Sequence, residues 1–248
     1  MNVLIFDSNE KLNEAGANIM TSLIQTNPRA VLGLATGGTP VGVYEQVVKD
    51  YDRGLVSFKS VKTFNLDEYV GLPEDHPESY HSYMNHHLFR HIDLPANNVH
   101  IPNGNAEDLE AECRSYDERI ADAGQIDLQL LGLGHNGHIG FNEPAHALIR
   151  GTHIVDLAEE TLKANARFFD SIDDVPKQAL TMGVGTILKA KMILLIVRGA
   201  DKAEIVHRAL TGPITTDVPA SLLQTHPHLV VLLDQEAGRL MAGAGIQR

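Results

Sequence analysis

Short apolar runs that end in glycine and pass into helical spacing recur along the whole chain. That alternation constrains the fold more than any other feature, because strands separated by helices pair in parallel and are covered on both faces. Residues 2–6, 29–35, 60–66, 98–101, 127–133, 191–198 and 229–233 read as strands. Between them, Leu12, Ala15, Ile19 and Leu23 share one helical face in a segment running to about residue 27. Val41, Tyr44, Val47 and Val48 do the same after Pro40. Residues 79–92, 105–123, 159–169 and 176–190 also read as helices, the last interrupted by Gly183 and Gly185, and a further one runs from 199 to about 210. Residues 145–157 read as irregular to extended. With no repeat, linker or low-complexity segment, the expectation is one α/β domain over residues 1–248, a mostly parallel sheet with helices on both faces.

The 248 residues suffice to bury roughly three-quarters of the unfolded surface. A net charge of −12 argues against a nucleic-acid partner, whose phosphates demand a basic face, but leaves room for a small anion held by a few local donors. The single cysteine, Cys113, excludes an internal disulfide and suits a reducing compartment. The first residues carry no basic n-region, and the longest aliphatic run, 192–197, is too short to cross a bilayer. The expectation is a cytoplasmic protein with neither membrane nor nucleic acid as partner.

Three strand ends carry chemistry. The first is Leu130-Leu131-Gly132-Leu133-Gly134-His135-Asn136-Gly137-His138-Ile139-Gly140-Phe141-Asn142-Glu143-Pro144, where a buried strand breaks into glycines and sets out amide, imidazole and carboxylate groups. A loop at the carboxyl edge of a parallel sheet lies where α/β proteins place ligands. On its own this is also what a glycine-rich turn with a surface histidine looks like; the other two motifs tip the balance. The second, Thr36-Gly37-Gly38-Thr39-Pro40, joins a strand to a helix, with Thr39 expected at the N-cap and Pro40 in the first turn. It fits an anion site or a purely structural turn equally well. It is no nucleotide loop, for no Gly-Lys-Ser/Thr follows. The third, Asn65-Leu66-Asp67-Glu68-Tyr69, places two carboxylates side by side, one expected to point into the site and the other to solvent or a structural partner. Residues 71–79 are a candidate lid. His87 and His91 have helical spacing but lack the glutamate and cysteine partners of a metal site, so no metal is expected. Lys202, in the first turn of its helix, opposes the helix dipole, which suits either a nearby anion or simple solvent exposure.

Together, Ala35-Thr36-Gly37-Gly38-Thr39-Pro40, Phe64-Asn65-Leu66-Asp67-Glu68-Tyr69, Gly137-His138-Ile139-Gly140-Phe141-Asn142-Glu143-Pro144 and Ala179-Leu180-Thr181-Met182-Gly183-Val184-Gly185 closely resemble the glucosamine-6-phosphate deaminase family, in order from about residue 30 to about 235. The resemblance implies a modified doubly wound sheet, shared with ribose-5-phosphate isomerase A. It implies conversion of glucosamine 6-phosphate and water to fructose 6-phosphate and ammonia, with no cofactor. It also assigns roles. Asp67 is the carbon base, while Asn136, His138 and Glu143 form the ring-opening group. Thr36, Gly37, Gly38, Thr39 and Gly132 line the substrate site, and Lys202 and Arg167 are its cations. Many family members carry Asp where this chain has Asn136, whose carbonyl is expected to accept the ring N–H of His138. Allosteric members carry an Arg-x-Lys pair where His153-Ile154-Val155 stand here, and an extended C-terminus. The resemblance therefore implies no activation by N-acetylglucosamine 6-phosphate, and a monomer or small homo-oligomer. Two other readings share the fold: lactone hydrolysis, which has no use for Asp67, and a non-catalytic sugar-phosphate sensor, which does not need Asp67, His138 and Glu143 together.

Overall fold

A computed structural model describes residues 1–166, 169, 171 and 174–241, apart from the side chains of Glu160, Ala164 and Asn165. Seven strands form one sheet: β1 (Asn2–Phe6), β2 (Val31–Leu34), β3 (Lys62–Asn65), β5 (Val99–His100), β6 (Leu128–Leu131), β9 (Met192–Val197) and β10 (Leu229–Asp234). Their order is β1-β10-β9-β6-β2-β3-β5, and every neighbouring pair is parallel. The expected strands are thus all present: β1 keeps its bounds, β10 runs on to Asp234, and the other five are trimmed at their ends. β2 and β6 are buried along their full length, without alternation, although Gln129 puts one polar side chain inside β6.

From β2 the chain winds outward through β3 to β5, then returns to the other side of β2 as β6. The reversal opens a crevice at the carboxyl ends of β2 and β6. Right-handed crossovers put α1 (Asn9–Thr26) and α2 (Val41–Asp52) on one face and α4 (Leu109–Asp122) and α7 (Ala203–Thr211) on the other. Ser8 caps α1 by accepting from Lys11 N, and Asp108 caps α4 by accepting from Ala111 N. α1 lays Leu12, Ala17, Met20 and Ile24 on the sheet. A side chain at Gly16 would come within 3.0 Å of Val43 Cγ2 and 3.2 Å of Ile196 Cδ1, so glycine sets how closely α1 approaches α2 and β9.

Two expectations are corrected here. Residues 176–190 are not one helix: Gln178–Thr181 is strand β8 and only Val184–Ile187 is helical, as α6. β8 pairs antiparallel with β4 (Asp67–Tyr69) on one side and β7 (His153–Asp156) on the other. Leu180, Val184 and Ile187 do have helical spacing, but partners distant in sequence override it. Thr39 is not an N-cap either. Pro40 occupies that position, without a side-chain cap, which leaves the Thr39 side chain uncommitted to the helix.

Candidate active site

β2, β3 and β6 each end in one of the three motifs, and the structure brings them around one cavity of about 250 Å³. Thr36, Gly37, Gly38, Thr39, Asp67, Gly132, Asn136, His138 and Lys202 line it. Arg167, the remaining expected cation, lies outside the described residues. Glu143 is set behind Asn136 and His138 rather than on the wall. Residues 71–79, the candidate lid, are tied to α3 (Tyr80–His87) by the Ser82 hydroxyl, which donates to Glu74 O as the Ser79 hydroxyl does.

The loop after β6 folds into a tight knot. Gly134 N donates to His138 O and Gly137 N to Gly134 O, each at 3.0 Å, with Gly137 at φ 89°. A methyl group on Gly134 would lie 2.3 Å from His138 Nε2, so only glycine lets the imidazole settle there. His138 Nδ1 meets Glu143 Oε2 at 3.2 Å. Asn136 behaves otherwise than expected: its Oδ1 accepts from the His138 backbone N–H at 3.1 Å, not from the ring. Its Nδ2 donates to Glu143 Oε2 at 2.6 Å, and Thr161 Oγ1 donates to Glu143 Oε1 at 2.6 Å. Burial acts to raise the Glu143 carboxyl. His138, Thr161 and Asn136 outweigh it and bring the group down to about 2. Glu143 is therefore a fixed anion that orients the imidazole.

Asp67 is 6 % exposed and opens β4. Burial, and then the charge of Glu68, push its carboxyl up to about 8. An acid that titrates there can hold or release a proton near neutrality, as a general base requires. An added Cβ on Gly140 would sit 3.6 Å from Asp67 Oδ2, which places the carboxyl against the loop that carries His138. Glu68 does not reach solvent. It accepts from Tyr69 N, Tyr80 N and His81 N at 2.8–3.1 Å, so it holds the start of α3 while Asp67 lines the cavity.

On the opposite wall, added Cβ atoms at Gly38 and Gly132 would meet no protein atom within 4 Å. Packing does not demand these glycines, whereas close approach of a ligand would. Lys202 closes the short 3-10 turn Ala200–Lys202 before α7, and its Nζ donates to Leu133 O at 2.8 Å. The ammonium thus turns away from its own helix toward the cavity wall, which relieves the dipole conflict. Sequence reasoning missed Tyr80 and Thr161, both on the cavity wall. The Tyr80 hydroxyl interacts with Tyr69 and Thr36, and burial holds it well above the usual phenol range. Its only sequence signal was a place among clustered aromatics on a helix.

A doubly wound sheet whose crevice holds a glycine turn, an imidazole–carboxylate pair and a buried carboxyl has the architecture of an α/β enzyme. The chain belongs to the family described as glucosamine-6-phosphate isomerases/6-phosphogluconolactonase, whose model matches residues 7–231. It is 52 % identical to a glucosamine-6-phosphate deaminase of Clostridium perfringens strain 13, over 97 % of this chain and 100 % of that one. A deaminase of Thermoanaerobacter pseudethanolicus is 51 % identical over 97 % of this chain and 95 % of its own length. A solved structure of a monomeric glucosamine-6-phosphate deaminase superposes with TM-score 0.94 at 51 % identity, covering 97 % of this chain and all of the other. The 6-phosphogluconolactonase of Thermotoga maritima, at 20 % identity and TM-score 0.75, shares the fold.

Proposed function

We infer that this chain is a glucosamine-6-phosphate deaminase acting in amino-sugar catabolism, turning glucosamine 6-phosphate and water into fructose 6-phosphate and ammonia. The observation that carries the reading is a buried carboxyl, Asp67, facing the same cavity as the His138–Glu143 pair. In this reading His138 takes the proton of the anomeric hydroxyl and hands one to the ring oxygen, opening the sugar, while Glu143 holds the imidazole in place. Asp67 removes the proton from C2 and returns one at C1. The enolamine becomes an imine, which water hydrolyses to the ketose and ammonia. No step needs a metal or organic cofactor. A positioned base of this kind is worth about 10²–10⁴ in rate.

The 36–39 turn and Lys202 bind the phosphate, with Arg167 as a second cation. We read residues 1–248 as a single such domain, working in the cytoplasm as a monomer or small homo-oligomer, without a nucleic-acid partner. Among the described residues no helix is long and apolar enough to cross a membrane. The positions that would hold an allosteric phosphate fall on β7 as His153, Ile154 and Val155, which bring neither arginine nor lysine. Ammonia release from glucosamine 6-phosphate tests the reading directly: purified protein should liberate one ammonia per fructose 6-phosphate formed. Hydrolysis of 6-phosphogluconolactone without ammonia release would replace it with the lactonase reading, and binding without turnover would replace it with a sensor.

A further inference from the structure

The 36–39 turn is gripped from outside by side chains with no part in the chemistry above. A trans peptide carries its C=O and the following N–H on opposite sides, so fixing the carbonyl aims the amide. Tyr44 Oη donates to Ala35 O and Tyr83 Oη to Gly37 O, each at 2.6 Å. Arg198 Nη2 donates to both Gly38 O and Thr39 O at 2.8 Å. The amides opposite the first three carbonyls on this path, those of Thr36, Gly38 and Thr39, belong to residues lining the cavity; the fourth peptide ends in Pro40, which has none. Two consecutive glycines, the first at φ 90°, would otherwise leave these peptides free to flip.

Arg198 differs from the two tyrosines in carrying charge, in holding successive carbonyls, and in its origin. It follows the last residue of β9 and reaches across β6 to the turn after β2. Lys202, a few residues on, bonds Leu133 O after β6. One strand end thus supplies both a cation of the phosphate site and the clamp on the Thr39 end of its turn. We infer that Arg198 is a positioning residue for the substrate's phosphate, fixing the Gly38–Thr39 peptide and with it the Thr39 amide, and placing a positive charge behind the turn. The inference rests on reading the 36–39 turn as the phosphate cradle. Arg198 is not among the residues lining the cavity, so it acts through the turn rather than by touching the sugar phosphate. The phosphate is held alike in ground and transition states, so the loss belongs in KM, not kcat.

The test compares Arg198→Leu and Arg198→Lys with Lys202→Ala, using steady-state kinetics on glucosamine 6-phosphate, calorimetry with inorganic phosphate and melting temperatures. Arg198→Leu should raise KM about tenfold with kcat kept within about threefold, and weaken phosphate binding by the same factor. Arg198→Lys, which keeps the charge but not the reach to two carbonyls, should recover part of both. Should Arg198→Leu fail to fold, Arg198→Lys must by itself weaken phosphate binding and raise KM at constant kcat. Unchanged KM and phosphate affinity in the arginine variants, with both lost in Lys202→Ala, would leave the cradle standing and remove Arg198 from it. A fall in kcat at constant KM would equally overturn the inference. If Lys202→Ala also binds phosphate like wild type, the cradle itself is misplaced and the role of Arg198 falls with it.

Discussion

At the residue scale, the unusual group is Asp67. Its carboxyl titrates near 8 in the fold against 3.8 in the open chain, because burial and the neighbouring Glu68 both disfavour the anion. The folded state therefore holds a proton that the unfolded state has lost, and the stability tied to it is present below pH 3.8 and drains away as pH rises through 8. Asp67→Asn removes that drain. Its melting temperature should match wild type near pH 4 and exceed it by a margin that grows up to about pH 8, while kcat falls about 10²–10⁴-fold at near-constant KM. Parallel melting curves at all pH values would show that the carboxyl ionises freely. Asn136 invites a second substitution. As an amide it can donate to Glu143 without a second negative charge; an aspartate at 2.6 Å would form a dyad that shares a proton. Asn136→Asp should move the acid limb of the kcat/KM profile upward by roughly a unit or more, and an unmoved limb would dissociate Asn136 from the Glu143 charge.

At the element scale, the loop after β6 depends on missing side chains. Gly134→Ala would drive a methyl into the imidazole of His138, and ring rotation away from Glu143 is the available relief. Activity should fall at least about a hundredfold with the melting temperature little changed, because the strain sits at the surface of the cavity rather than in the core. A fully active Gly134→Ala enzyme would show that the imidazole has another seat. The strands of the main sheet and all three motif-bearing loops could be read from the chain, since β2, β6 and β9 are largely apolar runs and glycine marks where each turns. What escaped were elements defined by distant partners. β4 is a three-residue strand of Asp, Glu and Tyr, whose burial no local pattern announces. β8 carries helical spacing and becomes a strand only between β4 and β7. Asn136 does bond Glu143 and the His138 backbone, but these hydrogen bonds could not be foreseen, because the donor–acceptor pairing depends on a backbone turn two residues long.

At the scale of the whole molecule, β9 is the spine: Ile193, Leu194, Leu195 and Ile196 are all at most 1 % exposed, flanked by β6 and β10. Leu194→Ala should cost about 2–5 kcal/mol by emptying volume that the parallel sheet cannot close. A loss below about 1 kcal/mol in chemical denaturation would mean that the core repacks. Without an arginine or lysine at the β7 positions, saturation curves should be hyperbolic and indifferent to N-acetylglucosamine 6-phosphate, and sedimentation should report a mass near 27.1 kDa or a small multiple. Sigmoidal kinetics abolished by that effector would reverse both statements. One consequence follows from the antiparallel ribbon β4-β8-β7. The Asp67 carboxyl rides on the ribbon and the His138 imidazole on the loop after β6 of the great sheet, and the seam between them is stitched by Thr181 Oγ1 to Phe141 N and by Asn142 Nδ2 to Met182 O. A slip of the ribbon by a fraction of an ångström would retune the spacing between carboxyl and imidazole while leaving each one's own surroundings intact.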